Sequence, residues 1–246
     1  MTPKPGEGTP EAIHKIVREM PRPEELFRLC IEKLGYASKD SQWFREHFTE
    51  ALTALMGEGA QILRGAQKKA RREVVELAKT LDEDAHFELI GAGEKSFRNQ
   101  MMKRAGVHME KCSAWLLTRC GIPNEDGQKA TGRSDRVCPN LQVYQDNPER
   151  SVVLEFKRTV RERWKEVRDE ISRAGHSVWL ITLDDYIADS LVEQIAEGNI
   201  VLYVSQEVFT KLTQRRGKLR SMNFLIEDIE HVISSRQTSF SPSAAQ

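Results

Sequence analysis

The chain has 246 residues, of which 30% are charged and 39% hydrophobic, and its 37 basic side chains match 37 acidic ones. That length allows one ordinary domain with an appendage, or two small ones, with enough apolar residues for a sizeable core. No apolar run reaches the roughly 20 residues of a membrane span, and the first residues lack the apolar stretch of a signal peptide, so a soluble intracellular protein is expected.

Residues 1–10 are rich in Pro, Gly and Thr and read as lacking fixed structure. From Pro10 to Leu81 the pattern is helical. Pro23-Glu24-Glu25 marks a helix start, followed by Leu26, Leu29, Cys30 and Leu34 at helical spacing. Ser41 to Met56 carries Phe44, Phe48, Leu52 and Leu55 on one stripe. A long basic helix follows from Ala60 to Thr80, with Arg64, Lys68, Lys69, Arg71, Arg72 and Lys79 against Glu73 and Glu76. These elements form a helical N-terminal region, residues 1–85, whose basic helix is a candidate accessory contact surface or dimerisation element; the plain alternative is a solvated helix face.

Residues 86–233 read as a second, α/β domain. A helix is expected over Val107–Arg119, ended by Gly121 and Pro123, and then a loop, Asn124–Gly132. Two extended segments, Arg136–Val143 and Ser151–Phe156, flank the turn signal at Gln145–Pro148. A polar helix over Val160–Ala174 leads to a buried strand, Val178–Ile181. A helix over Tyr186–Ala196, the strand Ile200–Val204 and helices over Gln206–Leu212 and Asn223–Ile233 complete the domain. Residues 234–246 form a Ser-rich tail. Strands alternating with helices predict a central mixed sheet flanked by helices. Cys30, Cys112, Cys120 and Cys138 make no CxxC pair, and the six histidines complete no zinc spacing, so reduced thiols are expected.

The chemistry concentrates in Ser134-Asp135-Arg136-Val137 and in Leu154-Glu155-Phe156-Lys157. Period two puts Glu155 and Lys157 on one face of a strand and turns Phe156 toward the core. If the two strands pair as a hairpin, Asp135 converges on that face. Two carboxylates and an ammonium around one point suit Mg²⁺ and the attack of an activated water on a phosphodiester. The bland alternative is an edge-strand salt bridge. The next residues, Arg161-Glu162-Arg163, carry groups that pair with bases: arginine grips guanine O6 and N7, and glutamate accepts from cytosine N4. A two-fold dimer would repeat the half-site as CC…GG. A salt-bridged surface helix is the alternative there.

The run KRTVRERW, residues 157–164, has an Asp 22 residues before its Lys and a Glu 13 after it. With that spacing the sequence resembles the type II restriction endonucleases of the SsoII, PspGI and EcoRII group, PD-(D/E)XK nucleases related to NgoMIV, over roughly Glu94 to Ile233. The resemblance implies a restriction-endonuclease-like core and Mg²⁺-dependent, sequence-specific double-strand cleavage of DNA at a palindromic or pseudo-palindromic CC…GG site, leaving 5′-phosphates. It implies Asp135 as first metal ligand, Lys157 as catalytic lysine and Glu170 as the relocated second carboxylate, with Glu155 as alternative metal ligand. Glu110, eleven residues before Gly121-Ile122, stands where the family has an upstream glutamate; Glu94 is the alternative. Arg161, Glu162 and Arg163 occupy the base-reading positions. Ser134 stands where the motif has proline. The implied partners are double-stranded DNA, a second copy of the chain and, in the same system, a cognate DNA methyltransferase, in the cytoplasm of a bacterium or archaeon. Rival readings are another PD-(D/E)XK nuclease of repair or structure-specific type, a non-catalytic DNA-binding protein, and an interaction module.

Clustered cations are the candidates for phosphate contact: Arg158, Lys165, and Arg215, Arg216 and Lys218 within the acid-free stretch Lys211–Arg220. Trp164 is read as core and His108 as a bystander. Residues 184–197 hold five acids and no base, so the neutral total hides a sorted charge distribution.

Overall fold

Amphipathic spacing resolves into long helices in the first half of the chain, in a computed structural model that describes residues 9–128, 134–160, 178–198, 200–212 and 218–234. Helix α1 (Thr9–Arg18) is followed by α2 (Pro23–Lys33), which opens on the proline whose missing N–H costs nothing at a helix start. Then come α3 (Ser41–Glu46), α4 (Phe48–Ala78) and α5 (Glu83–Arg119). The chain divides into two units, Met1–Ser38 with Ala54–Lys111, and Lys39–Thr53 with Cys112–Gln246. A single cut at residue 85 does not describe this division, because α5 starts at Glu83 and continues to Arg119.

In the first unit Ile13, Val17 and Met20 of the N-terminal segment pack with Ala70, Val74 and Ala78 of α4 and Leu89 and Phe97 of α5. The buried Arg104 guanidinium donates to the carbonyls of Val17 and Pro21 at 2.9 and 3.0 Å, closing the end of α1. Here two expectations are corrected. The stripe of Ser41–Met56 and the basic helix Ala60–Thr80 are not separate: residues from Phe48 onward form one helix. The helix expected from Val107 begins at Glu83. Gly57, Gly59 and Gly65 lie inside α4, and Gly91, Gly93 and Gly106 inside α5. A helical glycine costs only about 1 kcal/mol against alanine, less than buried contacts return. Gly59 is there for a close approach: a Cβ would lie 2.4 Å from His108 Nε2.

In the second unit Asp40 caps α3 by accepting from the Trp43 N–H at 2.8 Å, and the fully buried Phe44 meets Trp115 edge-on. Among the described residues six strands, β1 (Glu125–Asp126), β2 (Arg136–Cys138), β3 (Val152–Lys157), β4 (Val178–Thr182), β5 (Ile200–Val204) and β6 (Leu219–Ser221), lie in that order across one sheet. β1 to β3 pair antiparallel and β3 to β6 parallel. All five residues of β4 are buried, as a central parallel strand requires. Helices α6 (Leu141–Asp146), α7 (Asp189–Glu197), α8 (Gln206–Lys211) and α9 (Leu225–Ser234) accompany the sheet. One core cluster joins Val137, Val153, Leu180 and Leu202 of the sheet to Val192 and Ile195 of α7 and Val208 of α8.

The expected strand Arg136–Val143 stops at Cys138. Pro139 offers no N–H to a ladder, and Asn140 caps α6 by accepting from the Val143 N–H at 2.9 Å. The helix expected from Tyr186 starts at Asp189, and the one expected from Asn223 starts at Leu225 after a 3₁₀ turn. β1 lies where a loop was expected, and β6 overlaps the end of the cationic stretch. The polar helix expected over 160–174 lies outside the described residues beyond Val160. None of the four cysteines is in a disulfide; all are buried, and burial raises the Cys30 thiol to about 11 and those of Cys120 and Cys138 to about 12.

Candidate functional site

Strand pairing brings Asp135, Glu155 and Lys157 together. The antiparallel register sets Arg136 opposite Leu154. One residue earlier Asp135 leaves the ladder, and its Oδ2 accepts the Phe156 N–H at 2.7 Å in place of a strand carbonyl. The strand's own hydrogen-bonding potential thus anchors the carboxylate. The Lys157 ammonium lies 3.3 Å from the same Oδ2 and donates to Glu155 Oε2 at 2.6 Å. Phe156 points to the other face and is buried, as period two predicts.

Asp135 is 7% exposed and Glu155 1%. Charges this deep persist only when paired. Burial pulls the Lys157 pKa down, but the neighbouring Glu155 and Asp135 more than offset it, so the lysine titrates above its ordinary value. Two carboxylates share one ammonium, which leaves a negative charge in a nearly dry pocket of hard oxygen donors. That donor chemistry fits a divalent cation such as Mg²⁺. Among the described residues no set of three His, Cys, Asp or Glu side chains is placed to share a metal ion. Glu170, expected as the relocated second carboxylate, lies outside the described residues, as do Arg161, Glu162, Arg163, Trp164, Lys165, Arg215 and Arg216.

Neighbouring residues hold the two strand ends. Arg136 donates from Nε to Asn124 Oδ1 at 2.8 Å. Gly127 donates its N–H to the Asp135 carbonyl at 3.3 Å, and a Cβ on it would lie 2.6 Å from the Ser134 carbonyl oxygen. Beyond Lys157, the buried Asp184 accepts the Val160 N–H at 3.1 Å and the Tyr186 N–H at 3.4 Å through different oxygens. Sequence reasoning passed over Gly127 and Asp184. Asp184 had a signal: an acid just past a buried strand stands at the carboxyl end of a parallel sheet, where ligands bind.

Other expected residues are more dispersed. Arg158 is exposed, next to Lys157. Lys218 donates to the Ala196 carbonyl at the end of α7 at 3.1 Å. Arg220, counted among the phosphate-facing cations, makes two hydrogen bonds to Asp228 at 2.9 and 2.5 Å and so serves the fold. Glu110 is half-buried on α5, in the first unit. Glu94, its alternative, pairs with Arg71 at 2.6 Å on the surface. His108 is buried, with Nε2 3.2 Å from the Leu55 carbonyl and 3.9 Å from Cys30 Sγ, and burial lowers its pKa. It is a core histidine.

Comparison with known proteins identifies the family and the fold. The sequence model of the family described as EcoRII C terminal matches residues 68–240. The type II restriction enzyme SsoII of Shigella sonnei is 33% identical over 116 residues, covering 42% of this chain and 38% of that enzyme. The chain thus spans well under half of this curated relative. Among solved structures, metal-depleted Ecl18kI in complex with uncleaved DNA superimposes with a TM-score of 0.80 at 23% identity, over 98% of this chain and 89% of that one. A complex of the restriction endonuclease PspGI with substrate DNA gives 0.71 at 17% identity, over 89% and 96%. At these identities the structures share the fold with this chain: the PD-(D/E)XK restriction-endonuclease-like core expected from the sequence.

Proposed function

The chain belongs to the EcoRII C-terminal family, and from that premise we propose that it is a type II restriction endonuclease that cuts both strands of DNA at a site containing CC…GG. The observation that carries this reading is the meeting of Asp135, Glu155 and Lys157 at the adjoining ends of β2 and β3. A structural salt bridge needs one acid and one base; a second buried acid on the same ammonium adds repulsion that binding of a cation relieves.

Asp135 and Glu170 would hold Mg²⁺, which when bound neutralises charge on the scissile phosphate and acidifies water. Glu155 grips Lys157 and keeps it a cation. The ammonium faces the phosphate, orients the attacking water and stabilises the charge that grows as the bond to phosphorus forms. In-line attack leaves a 5′-phosphate and a 3′-hydroxyl. Glu110 acts as the upstream carboxylate. Arg161 and Arg163 read guanines, Glu162 reads cytosine, and Arg158, Lys165, Arg215, Arg216 and Lys218 neutralise phosphates. The basic face of α4 touches phosphates outside the target. A homodimer repeats the half-site and cuts both strands, and in the cytoplasm a cognate methyltransferase protects the host's own sites.

Digestion of plasmid DNA of known sequence with Mg²⁺ tests the proposal. Discrete fragments with ligatable 5′-phosphate ends that map to CC…GG sites are expected. A smear would point to a nuclease without sequence preference, and intact DNA to a protein that only binds.

Gly127 supplies a prediction about the same site. A methyl group there cannot fit against the Ser134 carbonyl, so Gly127→Ala pushes the segment carrying Asp135. Misplacement of a catalytic group by about 1 Å costs up to about a hundredfold. Single-turnover cleavage should therefore slow roughly ten- to a hundredfold while DNA binding in Ca²⁺ stays near wild type. A variant as fast as wild type would show that this contact does not position Asp135.

A further inference from the structure

We propose that Asp184 is a positioning residue that sets the direction in which the chain leaves the catalytic lysine, and thereby couples base reading to cutting. The inference rests on the endonuclease reading above. Parallel pairing puts Lys157 in register with Thr182, so β3 and β4 end side by side. Two hydrogen bonds then cross between the exits of these strands. The Thr182 hydroxyl donates to the Arg158 carbonyl at 3.5 Å, and Asp184 Oδ2 accepts the Val160 N–H at 3.1 Å. The Asp184 N–H in turn donates to the Thr182 hydroxyl at 3.1 Å, and Oδ1 takes the Tyr186 N–H at 3.4 Å. Asp184 is 6% exposed, Thr182 fully buried, and the Val160 side chain fully buried in the core.

The residues between Lys157 and the reading triplet are therefore held at both ends. Val160 is pinned by its side chain in the core and by its N–H on Asp184, and the next residue is Arg161. A buried carboxylate is a costly way to fill space, and one that accepts two backbone N–H groups from different loops fixes their separation. Moving the carboxylate moves the triplet's starting point relative to Lys157 while the lysine's own partners, Asp135 and Glu155, stay in place. The expected signature is lost discrimination rather than lost chemistry.

The test compares Asp184→Asn and Asp184→Ala with wild type on oligonucleotides carrying the CC…GG site or one changed base pair within it. Asn keeps the shape and one acceptor but presents a donor to the second N–H; Ala removes both acceptors. Thermal melting and dimer mass report folding. The ratio of cleavage at the intact site to cleavage at the changed site should fall about tenfold in D184N, the size of one lost base contact. Cutting of the changed site should persist, and the fall should appear in kcat as well as KM. If Asp184 only stabilises the fold, both substrates slow equally as the active fraction drops, and the positioning role is overturned. Should D184A fail to fold, D184N alone decides. Wild type that does not discriminate overturns the endonuclease reading and this inference with it; wild type that discriminates beside a D184N with the same ratio overturns this inference alone.

Discussion

Lys157→Ala is expected to abolish DNA cleavage, slowing single-turnover cutting by roughly 10²–10⁴-fold, while specific binding in Ca²⁺ is retained. Lys157 is the residue on which both site carboxylates converge, with its ammonium 2.6 Å from Glu155 and 3.3 Å from Asp135. In the proposed mechanism its removal deletes the positive charge that would face the negative charge developing on the phosphate. It also leaves two buried carboxylates without that cation, a change that can cost several kcal/mol of stability. Thermal melting therefore accompanies the assay, and Lys157→Met, which keeps the aliphatic stem, separates loss of charge from loss of packing. A folded Lys157→Met enzyme that cuts at the wild-type rate would remove Lys157 from the chemistry. A variant that neither cuts nor binds DNA would instead make the lysine a structural group.

How much of this was legible depended on the distance over which each feature is encoded. The face shared by Glu155 and Lys157 follows from two-residue alternation, and the structure has it with Phe156 buried behind. Asp135 needed a non-local fact, the antiparallel pairing of β2 and β3, which the sequence could offer only as a condition. The substitution of its side chain for a ladder carbonyl at the Phe156 N–H is invisible until that register is known. Asp184 is further from legibility: it acts through the N–H of Val160, 24 residues earlier, across a parallel pair. In sequence it is one acid in an acidic stretch. The long helices failed to show for a different reason. Glycines with a local helix cost stand inside α4 and α5, and tertiary packing, as at Gly59 beside His108, outweighs that cost. The short strand ending at Cys138 was missed because Asn140 was read as part of an extended run and not as a cap.

Loss of both Arg161 and Arg163 is expected to erase preference for the CC…GG site. Each bidentate arginine–guanine contact is worth about 1–3 kcal/mol of discrimination, so single alanine variants should lose about five- to 150-fold between the intact site and a site changed at its own base pair. The two residues are near neighbours, so their losses need not add, but even partial additivity brings discrimination close to unity. Arg163→Lys should lose nearly as much as Arg163→Ala, because an ammonium lacks the planar fork that spans O6 and N7. The measurement is the cleavage ratio across single-base-pair variants of the site, at one fixed salt concentration, since phosphate contacts shift absolute affinity with salt and leave the ratio. Cutting without selectivity is the outcome that ties Arg161 and Arg163 to reading and Lys157 to chemistry. Site preference that survives both substitutions would return this segment to the alternative of a salt-bridged helix face, with the bases read elsewhere in the chain.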